Sequence, residues 1–570
     1  MRWLLAAAPL ALASLIVTAF GCTTEPSLEH ASTGNTIVVS DGSLWLTSPD
    51  DDALVSLDLA TLEERERFAI EGAPERLLVH SDGRLWVTLG LASAVAIVDD
   101  GAVTRHAVPC GGTHDLAERA DGSVVVSCPH DDRVVALEAT GALRQTAEVP
   151  GRPLALAALD DRLHVGLQGI GGVGVLDGEL ALIEETVLER VEGVHASHPS
   201  AFAVDPRRGL VGTYERVEHD ADRDRPPAIG GYGSVVDDTP RIDPRLHGAC
   251  GGSYAQFDGG AFVFSGPSGS AWGDGALWVT HRQTDNVALV RCSGTATVIE
   301  AHRVGRGPRG VVVHEGRAYV DVGFDHAVAI LERGAESPVL ERRRSLGETR
   351  MDALALRGRD LFHDAVDIHL TPSGVVTCAT CHPGGGDDGL SWFIHTPAVD
   401  RKLRRTPPAW RARAATAPYH WDASIPDIGA LGRETIHELM EGDGLLVDYE
   451  ALAAYLDQVP APSPRPVVVA SQATRGAEVF AAAGCADCHP GGGSDGETHR
   501  VLAPSDDADA RMEVVDTPTL EAVRARAPYL HDGRAPTLRS VLTDHGAEHG
   551  APGILGGADL DALLAYLESL

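Results

Sequence analysis

Leu44-Trp45-Leu46-Thr47 returns as Leu85-Trp86-Val87-Thr88, as Val124-Val125-Val126-Ser127 and as Leu163-His164-Val165-Gly166, at intervals of 41, 39 and 39 residues. It returns again as Leu277-Trp278-Val279-Thr280 and Ala318-Tyr319-Val320-Asp321, 41 residues apart. Each stretch is apolar or β-branched, as strands are. Most follow an Asp-Gly, Asp-Asp or Glu-Gly turn, and a second strand such as Ala53-Leu54-Val55-Ser56-Leu57 comes about ten residues later. A period near 40 is the length of one four-stranded sheet, which cannot bury its faces alone. Packed radially, such sheets make a β-propeller. We expect it over residues 23–340, with seven blades the best count and six or eight open. A further blade should lie within 190–270, around Gly209-Leu210-Val211-Gly212.

The run 214–256 breaks the rhythm with Asp220-Ala221-Asp222-Arg223-Asp224-Arg225-Pro226-Pro227. A surface loop is the ordinary reading of such an insertion. The specific one is that it leans on the C-terminal region. The rhythm resembles YVTN-type or lactonase-like propellers, and it carries no signature of activity.

The last third of the chain holds Cys378-Ala379-Thr380-Cys381-His382 and Cys485-Ala486-Asp487-Cys488-His489. In Cys-x-x-Cys-His the two thiols form thioethers to a haem and the histidine becomes an axial iron ligand. A four-thiolate zinc site would space its pairs about 15–20 residues apart. Here 103 residues separate Cys381 from Cys485. A thioredoxin-like pair would sit near a βαβ pattern, which is missing. Two covalent c-type haems are therefore expected, bound through Cys378, Cys381 and His382 and through Cys485, Cys488 and His489.

Composition narrows the partners. The formal charge of the 570 residues is −35, from 82 acidic and 47 basic side chains. That field argues against nucleic acid and anionic lipid, and favours a basic protein such as a small cytochrome. Acidity also serves plain solubility. Met1-Arg2 followed by the apolar run Trp3 to Phe20 reads as an export signal. Gly21-Cys22 before a polar stretch is similar to a lipoprotein signal over 1–22, although Phe20 is bulky for that pattern; ordinary cleavage is the alternative. Either way the protein is expected outside the cytoplasm, periplasmic or anchored to the outer membrane by lipid alone. There, Cys110–Cys128 and Cys250–Cys292 are candidate disulfides, with three pairings open.

From Ser345 the pattern turns helical and duplicates. Arg357-Gly358-Arg359-Asp360-Leu361-Phe362 precedes the first haem motif, and Arg475-Gly476-Ala477-Glu478-Val479-Phe480 the second. Thr406-Pro407-Pro408 parallels Thr517-Pro518-Thr519. Ala417-Pro418-Tyr419-His420-Trp421-Asp422 parallels Ala527-Pro528-Tyr529-Leu530-His531-Asp532. Pro460-Ala461-Pro462-Ser463-Pro464 links the halves. The expected fold is thus multidomain: an all-β propeller, then two mainly α-helical cytochrome c-type domains at 346–460 and 466–570.

Residues 346–570 resemble the bacterial di-haem cytochrome c peroxidase and MauG-like family, above all in the run Thr517 to Gly533. The resemblance implies peroxide reduction at the first haem, with electrons entering through the second from a small cytochrome or cupredoxin. A MauG-like variant would oxidise a protein or organic substrate docked on the propeller. The family places a methionine fourteen residues beyond the histidine of its Tyr-x-His motif, and here that position is His545. His489 and His545 are therefore the expected axial pair of the second haem, with His549 and Met512 as alternatives. Two histidines leave the potential lower than histidine and methionine would. For the distal side of the first haem, His395, His420 and His437 compete, since the family's usual position, 398, is alanine. His395, His531 and Trp410 are the candidate catalytic residues, with Trp421 the other candidate for passing electrons between haems. Calcium between the halves is implied by the resemblance alone. A non-enzymatic electron carrier is the alternative function.

Overall fold

The computed structural model describes residues 30–187, 194–205, 209–218, 231–239, 255–258, 264–293, 296–332, 341–344, 349–372, 374, 376–396, 399–463, 470–500, 511–546, 549 and 555–570. Cys22, Cys250 and most of the 214–256 insertion lie outside these residues, so the signal, the second disulfide and the insertion's contacts do too.

Two-residue turns in the left-handed region start the repeat. Asp41-Gly42 (φ 47° and 68°), Asp100-Gly101, Asp274-Gly275 and Glu315-Gly316 each join two antiparallel strands. Such turns match the twist of the flanking strands. Sheet follows sheet in chain order: Ile37–Ala69, Pro74–Ala107, Leu116–Glu148, Pro153–Val187, Val194–Thr239, Pro267–Arg303 and Pro308–Arg344. Six of these sheets have four or five strands, and the one at 194–239 has three. Gly209–Glu218 is its middle strand, where a hidden blade was expected. The innermost strands touch in chain order and the last meets the first, closing a ring. Asn35 Nδ2 donates to the Val311 carbonyl at 2.8 Å across that closure.

Burial on both faces explains the unbroken apolar runs. Val124, Val125 and Val126 are fully buried, because each blade is covered by two neighbours. Cys110 and Cys128 form a disulfide within the third sheet's end. A second device was hidden in the sequence. The carboxylate of Asp52 accepts from Gly72 N and Ala73 N, and that of Asp132 from Gly151 N and Arg152 N, bracing one blade against the next.

The C-terminal region builds the same helical unit twice. In the first, α1 (Ala353–His363) leads to α2 (Cys378–Cys381), then α3 (Ile428–Glu434) and α4 (Tyr449–Gln458). In the second, α5 (Ala470–Ala482) leads to α6 (Cys485–Cys488), then α7 (Leu538–Thr543) and α8 (Ala558–Leu567). Asp352 caps α1 and Asp448 caps α4, each accepting backbone N–H bonds that would otherwise be orphaned. No helix among the described residues is long and apolar enough to cross a membrane.

In each unit the outer helices cross at a glycine. A Cβ on Gly358 would lie 1.9 Å from the Ala451 carbonyl oxygen, and one on Gly476 would lie 2.0 Å from that of Ala562. The glycine lets two backbones meet, and that contact sets where the haem-motif helix begins. Gly476→Ala should therefore cost about 1–3 kcal/mol through overpacking. Urea unfolding of the second unit, followed by its helical signal, checks this, with exposed Ser471→Ala as a neutral control.

Candidate haem centres

Cys378 and Cys381 stand three apart on a single helical turn, so both thiols face one side. Cys485 and Cys488 do the same. His382 and His489 each follow as the residue that ends the turn. The His382 Nδ1–H donates to the Gly386 carbonyl at 3.1 Å, and the His489 Nδ1–H donates to the Gly493 carbonyl at 3.2 Å. Burial holds both imidazoles below the usual histidine range, so both stay neutral at pH 7. A neutral ring with Nδ1 committed to a carbonyl presents Nε2 as a lone pair, as an axial iron ligand requires. The residues fit covalent haem in both units.

The second centre has a partner ring opposite His489. His549 faces it with ring centroids 6.2 Å apart. Two imidazoles bound through nitrogen at about 2 Å each to one metal would have centroids on the order of 6 Å apart. His545 is half-buried one helical turn earlier, and its carbonyl accepts from His549 N at 3.0 Å. The ring that meets His489 belongs to His549. Met512 is buried ahead of the strand Val514–Asp516.

The first centre is arranged differently. The backbone of His395 lies in the strand Ser391–Thr396; its side chain is outside the described residues. His437 is exposed on a π-helical turn and bonds to the Gly442 carbonyl at 2.9 Å. His420 is half-buried in the left-handed region (φ 70°), with Nδ1 3.2 Å from Ser424 Oγ. Burial pushes it below the usual range, opposed by Glu434 and Asp422. Glu434 closes α3 just before that π turn, and its Oε1 is buried without a hydrogen-bond partner. Glu434 had no sequence signal, because an acid at a helix end reads as a surface residue. π turns inside helices concentrate at functional sites.

The two tryptophans separate. Trp421 lies between the helical units: its Nε1–H donates to the Arg405 carbonyl at 2.9 Å, its own carbonyl accepts from Asp516 N at 2.8 Å, and its ring meets buried His531 edge-on at 6.3 Å. Trp410 is buried on the opposite side, edge-on to His130 of the propeller at 6.1 Å. Cys488, Asp495 and His499 bring their ligand atoms within 4.8 Å of one another. Cys488 is committed to a thioether in the haem reading, so the trio leaves no separate cation site.

Three bodies meet at Asp387. Its buried carboxylate accepts from Arg152 of the propeller at 2.7 Å and from Arg405 of the first unit at 2.8 Å. Both arginines also donate to the Ala527 carbonyl of the second unit, at 2.8 and 3.1 Å. Burial opposes ionisation of Asp387; the two guanidiniums outweigh it and hold the carboxyl below its usual range. Burial pushes neighbouring Asp388 up to about 7, with the Trp392 Nε1–H donating to it at 2.8 Å. A second tie joins Arg524 to Asp131 at 3.0 Å and to the Gly111 carbonyl.

The class the fold defines is a β-propeller joined to a C-terminal cytochrome c domain. Residues 473–570 match the cytochrome c family, whose domain carries covalent c-type haem. The chain is 27% identical to the methylamine utilization protein MauG of Methylorubrum extorquens, over 33% of this chain and 67% of that protein. It is 28% identical to virginiamycin B lyase of Nocardia farcinica, over 32% of this chain and 63% of that one. The chain thus spans about two thirds of the length of these relatives. Among solved structures it overlaps hydrazine synthase of Kuenenia stuttgartiensis (14% identity, TM-score 0.39, 56% of this chain and 99% of that one). It also overlaps a streptogramin B lyase (14%, 0.30, 56% and 86%). Overlap at these scores says nothing of activity.

The depressed Asp387 carboxyl contributes stability above its unfolded value of about 4 and loses it as pH falls through the folded value. Asp387→Asn should lower stability by about 3 kcal/mol at pH 7, because two guanidiniums stay buried without their charge partner. The deficit should shrink below pH ~4, as the native carboxyl protonates too. Urea midpoints of both proteins at pH 7 and pH 3 check it.

Proposed function

We propose that this chain is an exported di-haem c-type oxidoreductase of the peroxidase type, with the three-stranded sheet counted as a seventh propeller blade. The observation that carries the reading is the matched pair of proximal histidines, His382 half-buried and His489 buried, each held by a backbone carbonyl at nearly the same distance. Bound in these units, haem supplies one-electron redox chemistry and, where a coordination position stays open, the centre at which a peroxide bond is cleaved.

The chain's own residues divide the labour. His549 opposite His489 closes the second centre on both sides and suits it to electron transfer. The first centre keeps His420 and Glu434 as the groups able to hold and move a proton beside a bound peroxide oxygen. His395 remains a candidate there. Trp421, between the units and against His531, is the side chain positioned to pass electrons from one centre to the other, and Trp410 serves the propeller side instead. Electrons would arrive from a small basic cytochrome or cupredoxin drawn by the acidic surface. The protein would be held to the membrane by lipid only. The alternative, a pure electron carrier, is favoured by the His489–His549 pair and requires the same closure at the first centre.

A pyridine haemochrome assay of the purified protein should return two haems per chain, and the EPR spectrum of the oxidised form one low-spin and one high-spin signal. Two low-spin signals with no response to peroxide would leave the electron carrier standing. His549→Ala should turn the low-spin signal high-spin, whereas His545→Ala should leave it in place. The reverse outcome restores His545 as the ligand.

A further inference from the structure

The propeller's central mouth faces the first helical unit across a cavity of about 580 Å³. Small-molecule sites fall in this size range. The charge of the cavity opposes that of the chain. Six arginines line it against four carboxylates, while the whole protein carries −35.

Arg76 and Arg309 sit on innermost strands and Arg282 just beyond the strand Ala276–His281, and the three are not equivalent. Arg309 is neutralised by Asp321 at 2.7 Å. Arg76 donates to two carbonyls, those of Ser200 and Ser268, at 3.2 and 2.9 Å, and to no carboxylate among the described residues. The Arg282 backbone N–H donates to the Gly266 carbonyl at 2.8 Å, but no hydrogen bond of its guanidinium is found among the described residues, and its Nε is buried without a partner. Burial, then the charges of Arg309 and Arg76, push the Arg282 guanidinium down to about 10, still a cation at pH 7. A fork of donors held in a low-dielectric pocket without an acceptor is costly until an anion fills it.

The wall on the helical-unit side carries Tyr455 and Trp410, and Phe324 of the propeller's last sheet also lines the cavity. Trp410 is 2% exposed, and its Nε1–H is buried without a partner. The wall also includes Ala379, which stands between the two thioether cysteines of the first motif. The cavity therefore lies behind the attachment loop of the first centre.

We propose that this cavity binds a small aromatic carboxylate, with its carboxylate on Arg282 and Arg76 and its ring among Tyr455, Trp410 and Phe324. The excess of arginines over carboxylates disfavours cations. The inference goes beyond the peroxidase reading and does not depend on it, since binding needs only these arginines and aromatic rings.

The test is isothermal titration calorimetry on the full-length holoprotein with 4-hydroxybenzoate as probe. We expect saturable binding with one site per chain, weakened at least about tenfold by Arg282→Gln and largely kept by Arg282→Lys, since a charge-assisted hydrogen bond is at stake. 4-Hydroxybenzamide, which has the same ring without the charge, should bind at least about tenfold more weakly. Failure of 4-hydroxybenzoate to bind overturns the proposal. So does equal affinity for the benzamide, or an unchanged affinity in Arg282→Gln. Inorganic phosphate binding as tightly as 4-hydroxybenzoate overturns the aromatic assignment. Haem stoichiometry and EPR do not enter the readout, so failure here leaves the peroxidase reading untouched.

Discussion

One carboxylate positions everything that matters in this molecule. Asp387 sits a few residues past the first haem motif, and its charge is shared by an arginine from the propeller and one from its own unit. The same two arginines reach a carbonyl of the second unit. A buried ion with three anchors tolerates little displacement, because every ångström of separation exposes an uncompensated charge to low dielectric. The propeller and both helical units are therefore held in one arrangement, with the first haem motif between them.

Within each unit a different constraint acts. Gly358 and Gly476 allow two helices to cross with backbones in contact, and that crossing leads straight into the helical turn that carries the cysteines. The histidine at the end of the turn is then oriented by a carbonyl four residues on. Short-range geometry builds the attachment sites, and long-range ion pairing arranges them.

Much of this was legible in the chain. The 40-residue rhythm and the Asp-Gly turns announced stacked four-stranded sheets, because turn chemistry and burial on both faces are local properties. The haem motifs and their duplicated surroundings were equally plain. What escaped was whatever depends on side chains far apart in sequence. The residue opposite His489 is the clearest example. Position counting pointed to His545, one helical turn from His549, whose ring lies 6.2 Å from that of His489. Glu434, Asp387 and Arg282 carry no motif; each is ordinary until its surroundings remove water from it.

By itself, the sequence determined three things: the haem-attachment motifs, the propeller repeat and the acidic composition. These follow from spacing, periodicity and composition, which need no knowledge of neighbours. Tertiary structure alone decided that the His549 ring meets His489, that Trp421 lies between the units, and that an arginine-rich cavity backs the first Cys-x-x-Cys-His loop. Each of these depends on distance and burial between residues separated by tens to hundreds of positions. Electrostatics in a low-dielectric interior is set by that proximity in space, and proximity in sequence does not encode it.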